Sequence, residues 1–245
     1  MTLLLGKVAL GIVRVFHTHG AKVCIADLQD TRGQDVCESL GGDRNACYFH
    51  CDVTVEDEVR SAIDFTVNKF GTLDIMVNNA GLSDFEKVFN VNVKGTFLGM
   101  KHAARVMIPL NKRSIISLCS VSSTILGAGP HAYTGSKHAV LGLTRNVAAE
   151  LGKYGIRVNC VSPYAVPTGL ALARLPEEER TEDAMAGFRA FVGGNANLQG
   201  VELTADDVAN VVLFLASDES RDISGANLMV DGGCTIANHS LRVFR

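Results

Sequence analysis

Tyr133 is followed four residues later by Lys137, and Ser120 stands thirteen residues before the tyrosine, in the stretch SVSSTILGAGPHAYTGSK. Residues four apart on a helix share a face, one turn apart. A free tyrosine titrates near pH ~10, too high for a base near neutrality. A neighbouring ammonium favours the phenolate, and an oxidised nicotinamide ring would add a second positive charge. Bringing a phenol near neutrality takes about 4 kcal/mol of differential stabilisation, within reach of a partly desolvated site. A serine hydroxyl nearby could donate to an oxygen on which charge changes during hydride transfer. A Tyr-x-x-x-Lys match also arises by chance in many helices, so the triplet needs company.

Company comes from other polar residues. Asp27 closes an apolar run, AKVCIAD, where a carboxylate can accept hydrogen bonds from an adenosine ribose. A 2′-phosphate there would meet like charge, and the following LQD offers no arginine. Alone, Asp27 reads equally as a solvated turn residue. Asp52 and Val53 belong to CDV; Asp52 could hold an adenine amino group or simply prepare the turn before Thr54, the expected N-cap of the next helix. NNAG follows LDIMV. Asn79 tolerates unusual backbone angles, while Ala80 and Gly81 let a flat ligand approach the main chain. An ordinary strand-to-loop turn is the plainer explanation of such a cluster. Asn92, in NVNVKG on a long helical stretch, is either a packed core amide or a partner for a buried water.

The elements that must position these residues alternate between short β-branched runs and longer amphipathic stretches. KVAL, AKVCIAD, ACYFHCDV, LDIMVNNAG, SIISLCS, IRVNCVSP and ISGANLMVDGG read as strands. Helices are expected between them, with Gly20, Gly71 and Gly155 closing three of these. The stretch 164–201 reads as irregular. Near-continuous apolar strands with intervening helices imply an α/β fold: a doubly wound parallel sheet, helices on both faces, forming one domain over 1–245. Ligands bind such sheets at the carboxyl ends of the strands. Asp27, Asp52, Asn79, Ser120 and Pro163 all fall at such ends.

Composition removes other classes. The chain has 245 residues, is 47% hydrophobic and carries a net charge of -3, with no basic stripe for nucleic acid. No apolar run approaches the roughly 18 residues of a membrane span. MTLLLGKVAL lacks the basic region and cleavage site of a signal peptide and reads as the approach to a first strand. The 7 cysteines form no C-x-x-C pair, and several sit in apolar runs. They read as reduced core residues of a cytoplasmic protein, with no metal site.

Taken together, NNAG, NVNVKG, Ser120, YTGSK, VNCVSPYAVPT and the final DGG resemble the short-chain dehydrogenase/reductase family over essentially the whole chain. The resemblance implies a Rossmann-like fold, NAD as cofactor and a homotetramer. It implies Tyr133 as acid/base, Lys137 as its electrostatic partner and ribose ligand, and Ser120 as donor to the substrate oxygen. It implies Asn92 as organiser of a proton-relay water, and Val166 and Thr168 as contacts of the nicotinamide carboxamide. Asp27, with Leu28 beside it, matches the NAD-selecting acid. MKHAARVMIP, SKHAVLGLT and EERTEDAM are similar to plant members that oxidise terpenoid and phenolic secondary alcohols. The implied substrate is therefore an apolar cyclic alcohol. The stretch 164–201, with Leu170, Leu172, Leu175, Met185, Phe188 and Phe191, would be its lid.

One departure stands out. The family places a Gly-rich T-G-x-x-x-G-x-G turn between its first strand and first helix, where it holds the pyrophosphate. Here KVAL runs directly into GIVRVF, and a second shortening follows NNAGLS. A true deletion should cripple NAD binding and would favour a non-catalytic binding protein on the same fold. Because both gaps flank the cofactor site and every other motif is intact, the expectation is that residues between Leu10 and Gly11 are missing only from the written sequence.

Overall fold

The computed structural model describes residues 2–5, 9–42, 44–79, 85–111, 113–168, 171–172 and 177–237; for 2–5, 9, 10 and 177 only the backbone is considered. The strands are β1 Thr2–Leu5, β2 Val23–Asp27, β3 Ala46–His50, β4 Ile75–Asn78, β5 Ser114–Leu118, β6 Arg157–Pro163 and β7 Asn227–Val230. The helices are α1 Ala9–Thr18, α2 Asp30–Ser39, α3 Glu56–Phe70, α4 Phe85–Val88, α5 Thr96–Met107, α6 His131–Leu151, α7 Glu182–Asn195 and α8 Ala205–Ala216.

All the strands pair in parallel, in the order β3-β2-β1-β4-β5-β6-β7. The order reverses at β1, which lies between β2 and β4. Such a reversal opens a crevice at the carboxyl ends of the strands. Each face of the sheet buries its own core. Val59, Ala62 and Ile63 of α3, Leu98, Met100 and Ala103 of α5, and Leu151 of α6 cover one face. Ile12, Val13 and Phe16 of α1 and Val208, Ala209 and Val212 of α8 cover the other. The doubly wound α/β architecture is therefore as the sequence implied, and all seven cysteines are free and buried. Among the described residues no helix is long and apolar enough to cross a membrane.

Four expectations need correction. The first strand is Thr2–Leu5, not KVAL; Ala9 and Leu10 are already helical. A strand ending at Leu10 would leave no residues to turn into a helix starting at Gly11, whereas a βα connection takes at least two or three. Pairing five residues upstream leaves residues 6–8 between strand and helix, and α1 keeps Ile12, Val13 and Phe16 buried. α1 runs through Leu10 and Gly11, the point where the family pattern places its Gly-rich turn.

The cap of α3 is Val55, not Thr54, and it makes no side-chain cap bond. Asp52 Oδ1 instead accepts from Thr54 N at 2.8 Å, and Glu58 Oε2 reaches back to Asp52 N at 2.7 Å. The other end of α3 is closed as expected by Gly71, whose φ of 88° a side chain would oppose. The long helical stretch before β5 is not uniform: Phe89–Gly95 is a π-helix between α4 and α5. Finally, 164–201 is not all irregular, because α7 occupies Glu182–Asn195, with Thr181 Oγ1 accepting from Ala184 N at 3.2 Å.

Candidate active site

Ser120 lies two residues beyond β5 and is buried. Its Oγ accepts from Ser122 N at 3.2 Å, and its carbonyl accepts from Ser123 N and from Ser123 Oγ at 2.7 Å. These bonds fix the residue at the strand tip. Among the described residues the Ser120 hydroxyl only accepts, so its own proton remains available to another oxygen.

Tyr133 and Lys137 share one face of α6, as their spacing required. Lys137 is only 6% exposed, an expensive place for an ammonium without partners. Its Nζ donates to the Leu118 carbonyl, the last of β5, at 2.9 Å, and stands 5.5 Å from the Tyr133 ring centroid. A positive charge over a ring face is attracted to it. The strand end that carries Ser120 therefore also anchors the lysine. The Cys119 thiol adds a bond to the Lys137 carbonyl at 3.2 Å. The 124–130 loop closes over the tyrosine: a side-chain atom on Gly129 would lie 3.1 Å from Tyr133 Cδ1 and 3.3 Å from Ser122 Oγ.

Asn92 sits in the middle of the π-helix, 1% exposed. Its Nδ2 donates to Ser136 Oγ at 3.0 Å, and that hydroxyl donates to the Tyr133 carbonyl at 2.7 Å. Asn92 therefore reaches the tyrosine through Ser136, a residue the sequence reading passed over. The serine preceding the lysine in YTGSK was the available signal. A π-turn widens the helix and is frequent at functional sites; here it turns Asn92 inward toward α6.

Most of the remaining residues lie at or just past the carboxyl ends of the parallel strands. Asp27 ends β2, with Oδ1 accepting from Gln29 N at 3.0 Å, and Leu28 beside it is 55% exposed. Asp52 lies two residues past β3, one carboxylate oxygen committed to Thr54 N. Val53 is buried, and a side chain on Gly95 would collide with it. Asn79, buried, follows β4. Ala80 and Gly81 lie outside the described residues. Val166 is half-buried against the α1–α8 core, and Thr168 N donates to its carbonyl at 2.9 Å, closing a three-residue turn beyond β6. In the lid stretch, Leu172 is buried, Met185 and Phe188 are half-buried and Phe191 is 66% exposed, while Leu170 and Leu175 lie outside the described residues.

Gly99 couples α5 to the end of β4. A Cβ there would overlap Asn78 Oδ1 and come within 3.0 Å of Met76 Cε. Asn78 is 4% exposed, and among the described residues its carboxamide has no hydrogen-bond partner to pivot toward. Gly99→Ala is expected to cost about 2 kcal/mol of stability. Thermal unfolding should then shift down by about 5 °C; an unchanged midpoint would show that α5 can slide on β4.

A parallel sheet with its polar strand ends, a Tyr–Lys pair anchored to β5 and a serine at that tip define a short-chain dehydrogenase/reductase. A family model described as enoyl-(acyl carrier protein) reductase matches residues 7–235, and the chain belongs to this family of oxidoreductases. It is 65% identical to (+)-borneol dehydrogenase 2 of Salvia officinalis, over 99% of this chain and 94% of that one. It is 64% identical to xanthoxin dehydrogenase of Arabidopsis thaliana, over 99% and 94%. Among solved structures, gluconate 5-dehydrogenase from Burkholderia cenocepacia, in complex with NADP and tartrate, superposes with a TM-score of 0.84 at 27% identity, covering 97% of this chain and 96% of that one. The alignment to the Salvia enzyme runs over 265 positions against 245 residues here, so this chain is gapped relative to it.

The family's nicotinamide dinucleotide fits two parts of this site. Asp27 offers a carboxylate at the β2 tip, and Tyr133, Lys137 and the Val166–Thr168 turn line the opposite part. Between them, α1 starts at Ala9 without a Gly-rich turn, and Gly11 faces Ala205 and Asp206 of α8 instead of open space. The residues present would suit the two ends of the cofactor, and the sequence between β1 and α1 holds no Gly-rich motif for its pyrophosphate.

Proposed function

We propose that this chain catalyses the reversible oxidation of a secondary alcohol on an apolar cyclic terpenoid to the ketone, with NAD as hydride acceptor. The observation that carries the chemistry is Lys137, buried, held at 2.9 Å by the Leu118 carbonyl and set 5.5 Å from the Tyr133 ring, beside a serine whose proton is uncommitted. Tyr133 takes the hydroxyl proton, Lys137 stabilises the phenolate and Ser120 donates to the substrate oxygen. Asn92 and Ser136 hold the first turn of α6 in place beneath the tyrosine. The dinucleotide, when bound, accepts the hydride. Asp27 and Leu28 favour a ribose with a free 2′-hydroxyl, hence NAD; Asp52, Val53, Asn79, Val166 and Thr168 line the remaining cofactor contacts.

The names of the Salvia and Arabidopsis relatives support an apolar cyclic substrate, and the half-buried Met185 and Phe188 of α7 suit one. Borneol, oxidised to camphor, is the first choice; xanthoxin is the second. A homotetramer belongs to the same reading, and Phe97, 45% exposed on α5, offers it an apolar contact. The test is a panel of cyclic terpenoid alcohols with NAD, following NADH absorbance. Turnover of borneol or a close bicyclic alcohol is expected above that of linear secondary alcohols. Equal rates on linear alcohols would remove the terpenoid assignment. Absence of any turnover alongside measurable NAD binding would favour a non-catalytic binding protein.

A further inference from the structure

Asp27 is not the only carboxylate at its end of the sheet. In the β2–β3 ladder its register partner is His50, the last residue of β3. His50 Nδ1 lies 2.7 Å from Oδ1 of Asp30, the first residue of α2. The Tyr48 hydroxyl lies 2.5 Å from the Asp27 carbonyl oxygen and 2.7 Å from the same Asp30 oxygen, sharing its one proton between them. One phenol oxygen therefore ties Asp30 and His50 to the backbone of Asp27. Gly33 of α2 lies directly on the Tyr48 ring, and any side chain there would collide with it. The network is thus built into the packing of α2 on β3.

The surroundings are acidic. Asp30 from α2, Asp52 after β3 and Glu58 from α3 all act on His50, and Asp27 and Asp30 both act on Tyr48. Histidine is the side chain whose ordinary pKa lies nearest neutrality, and His50 is the histidine of this cluster.

We propose that the His50–Asp30 pair sets how strongly this chain discriminates between adenosine nucleotides with and without a 2′-phosphate, by switching one unit of negative charge beside Asp27. The inference rests on the reading that Asp27 holds the adenosine ribose. The Asp30 carboxylate, through its hydrogen bond, raises the pKa of His50 above the ordinary histidine value. Below that raised pKa the pair is an imidazolium and a carboxylate and adds no net charge. As pH rises through it, the imidazole becomes neutral and Asp30 stands as a second uncompensated carboxylate. A 2′-phosphate is then repelled more strongly, and a 2′-hydroxyl is hardly affected. Preference for the unphosphorylated nucleotide therefore grows with pH.

The test uses adenosine 2′,5′-bisphosphate and AMP, which differ only in the 2′-phosphate and need no pyrophosphate turn. Binding of each to the full chain is measured by calorimetry between pH 5.5 and 8.5 in 0.01 M salt. The affinity ratio in favour of AMP should climb by about threefold more in the wild type than in His50→Gln, as expected for one unit charge facing a dianion across roughly 10 Å of water. The phosphate's own titration is common to both proteins and cancels. Asp30→Asn should move the same difference to lower pH, and it should lower the midpoint of the His50 Cε1 proton in NMR titration by a matching amount. In 0.15 M salt the wild-type effect should shrink. Measurable AMP binding together with an AMP-to-bisphosphate affinity ratio whose pH slope is identical in wild type and His50→Gln would overturn the proposal and leave the ribose reading intact. If neither nucleotide binds, the ribose reading fails and this inference with it.

Discussion

Replacing Tyr133 by Phe should lower turnover by about three orders of magnitude, the span a positioned acid/base group contributes. The substitution removes the oxygen alone. The ring keeps its place under Gly129, and Lys137 keeps both its 5.5 Å position over that ring and its bond to the Leu118 carbonyl. Among the described residues, Tyr133 is held through its main-chain carbonyl, which accepts from Ser136 Oγ at 2.7 Å. The midpoint of thermal unfolding should therefore stay within about 2 °C. Steady-state rates on the best alcohol from the terpenoid panel, with NAD binding measured in parallel, separate chemistry from affinity. Turnover within tenfold of the wild type would remove Tyr133 from the assigned role.

The Tyr–Lys pair was legible because its geometry is local. A spacing of four on a helix needs no tertiary information. Strand ends were legible for a related reason: the apolar runs stop where the sheet does, so Asp27, Asn79 and Ser120 declared themselves. What the sequence hid was set by competition between elements. Thr54 is a good capping residue, but Asp52 already holds its N–H, and Glu58 reaches back past it. α7 carries an N-cap at Thr181 and acids at Glu182 and Asp183, a readable start. Gly187, Gly193 and Gly194 within the helix masked it. The π-turn at Asn92 has no local signature. It is fixed from outside, by Val53 packed on Gly95 and by the bond from Asn92 to Ser136.

The first strand shows the same competition at its strongest, and it yields the other large expected effect. Inserting a Gly-rich turn of the family pattern between Leu10 and Gly11 should tighten NAD binding by roughly 100-fold, the worth of about two charge-assisted hydrogen bonds. The turn would return backbone N–H groups and a helix N-terminus to the pyrophosphate. Adenosine, which has no pyrophosphate, should bind both proteins alike. The insertion should also move the strand. With residues available for the turn, KVAL can enter the slot between β2 and β4 that Thr2–Leu5 now fills. Leu4→Pro distinguishes the two registers, because proline cannot donate to a ladder. It should destabilise the present chain, where Leu4 pairs with Ile25 and Val77, and leave the inserted chain nearly unaffected. Calorimetry with NAD and thermal unfolding of the four proteins give both answers. An NAD affinity within threefold of the original would show that the shortened β1–α1 connection already serves the pyrophosphate. Equal destabilisation by Leu4→Pro in both backgrounds would show that Thr2–Leu5 is the strand in either case.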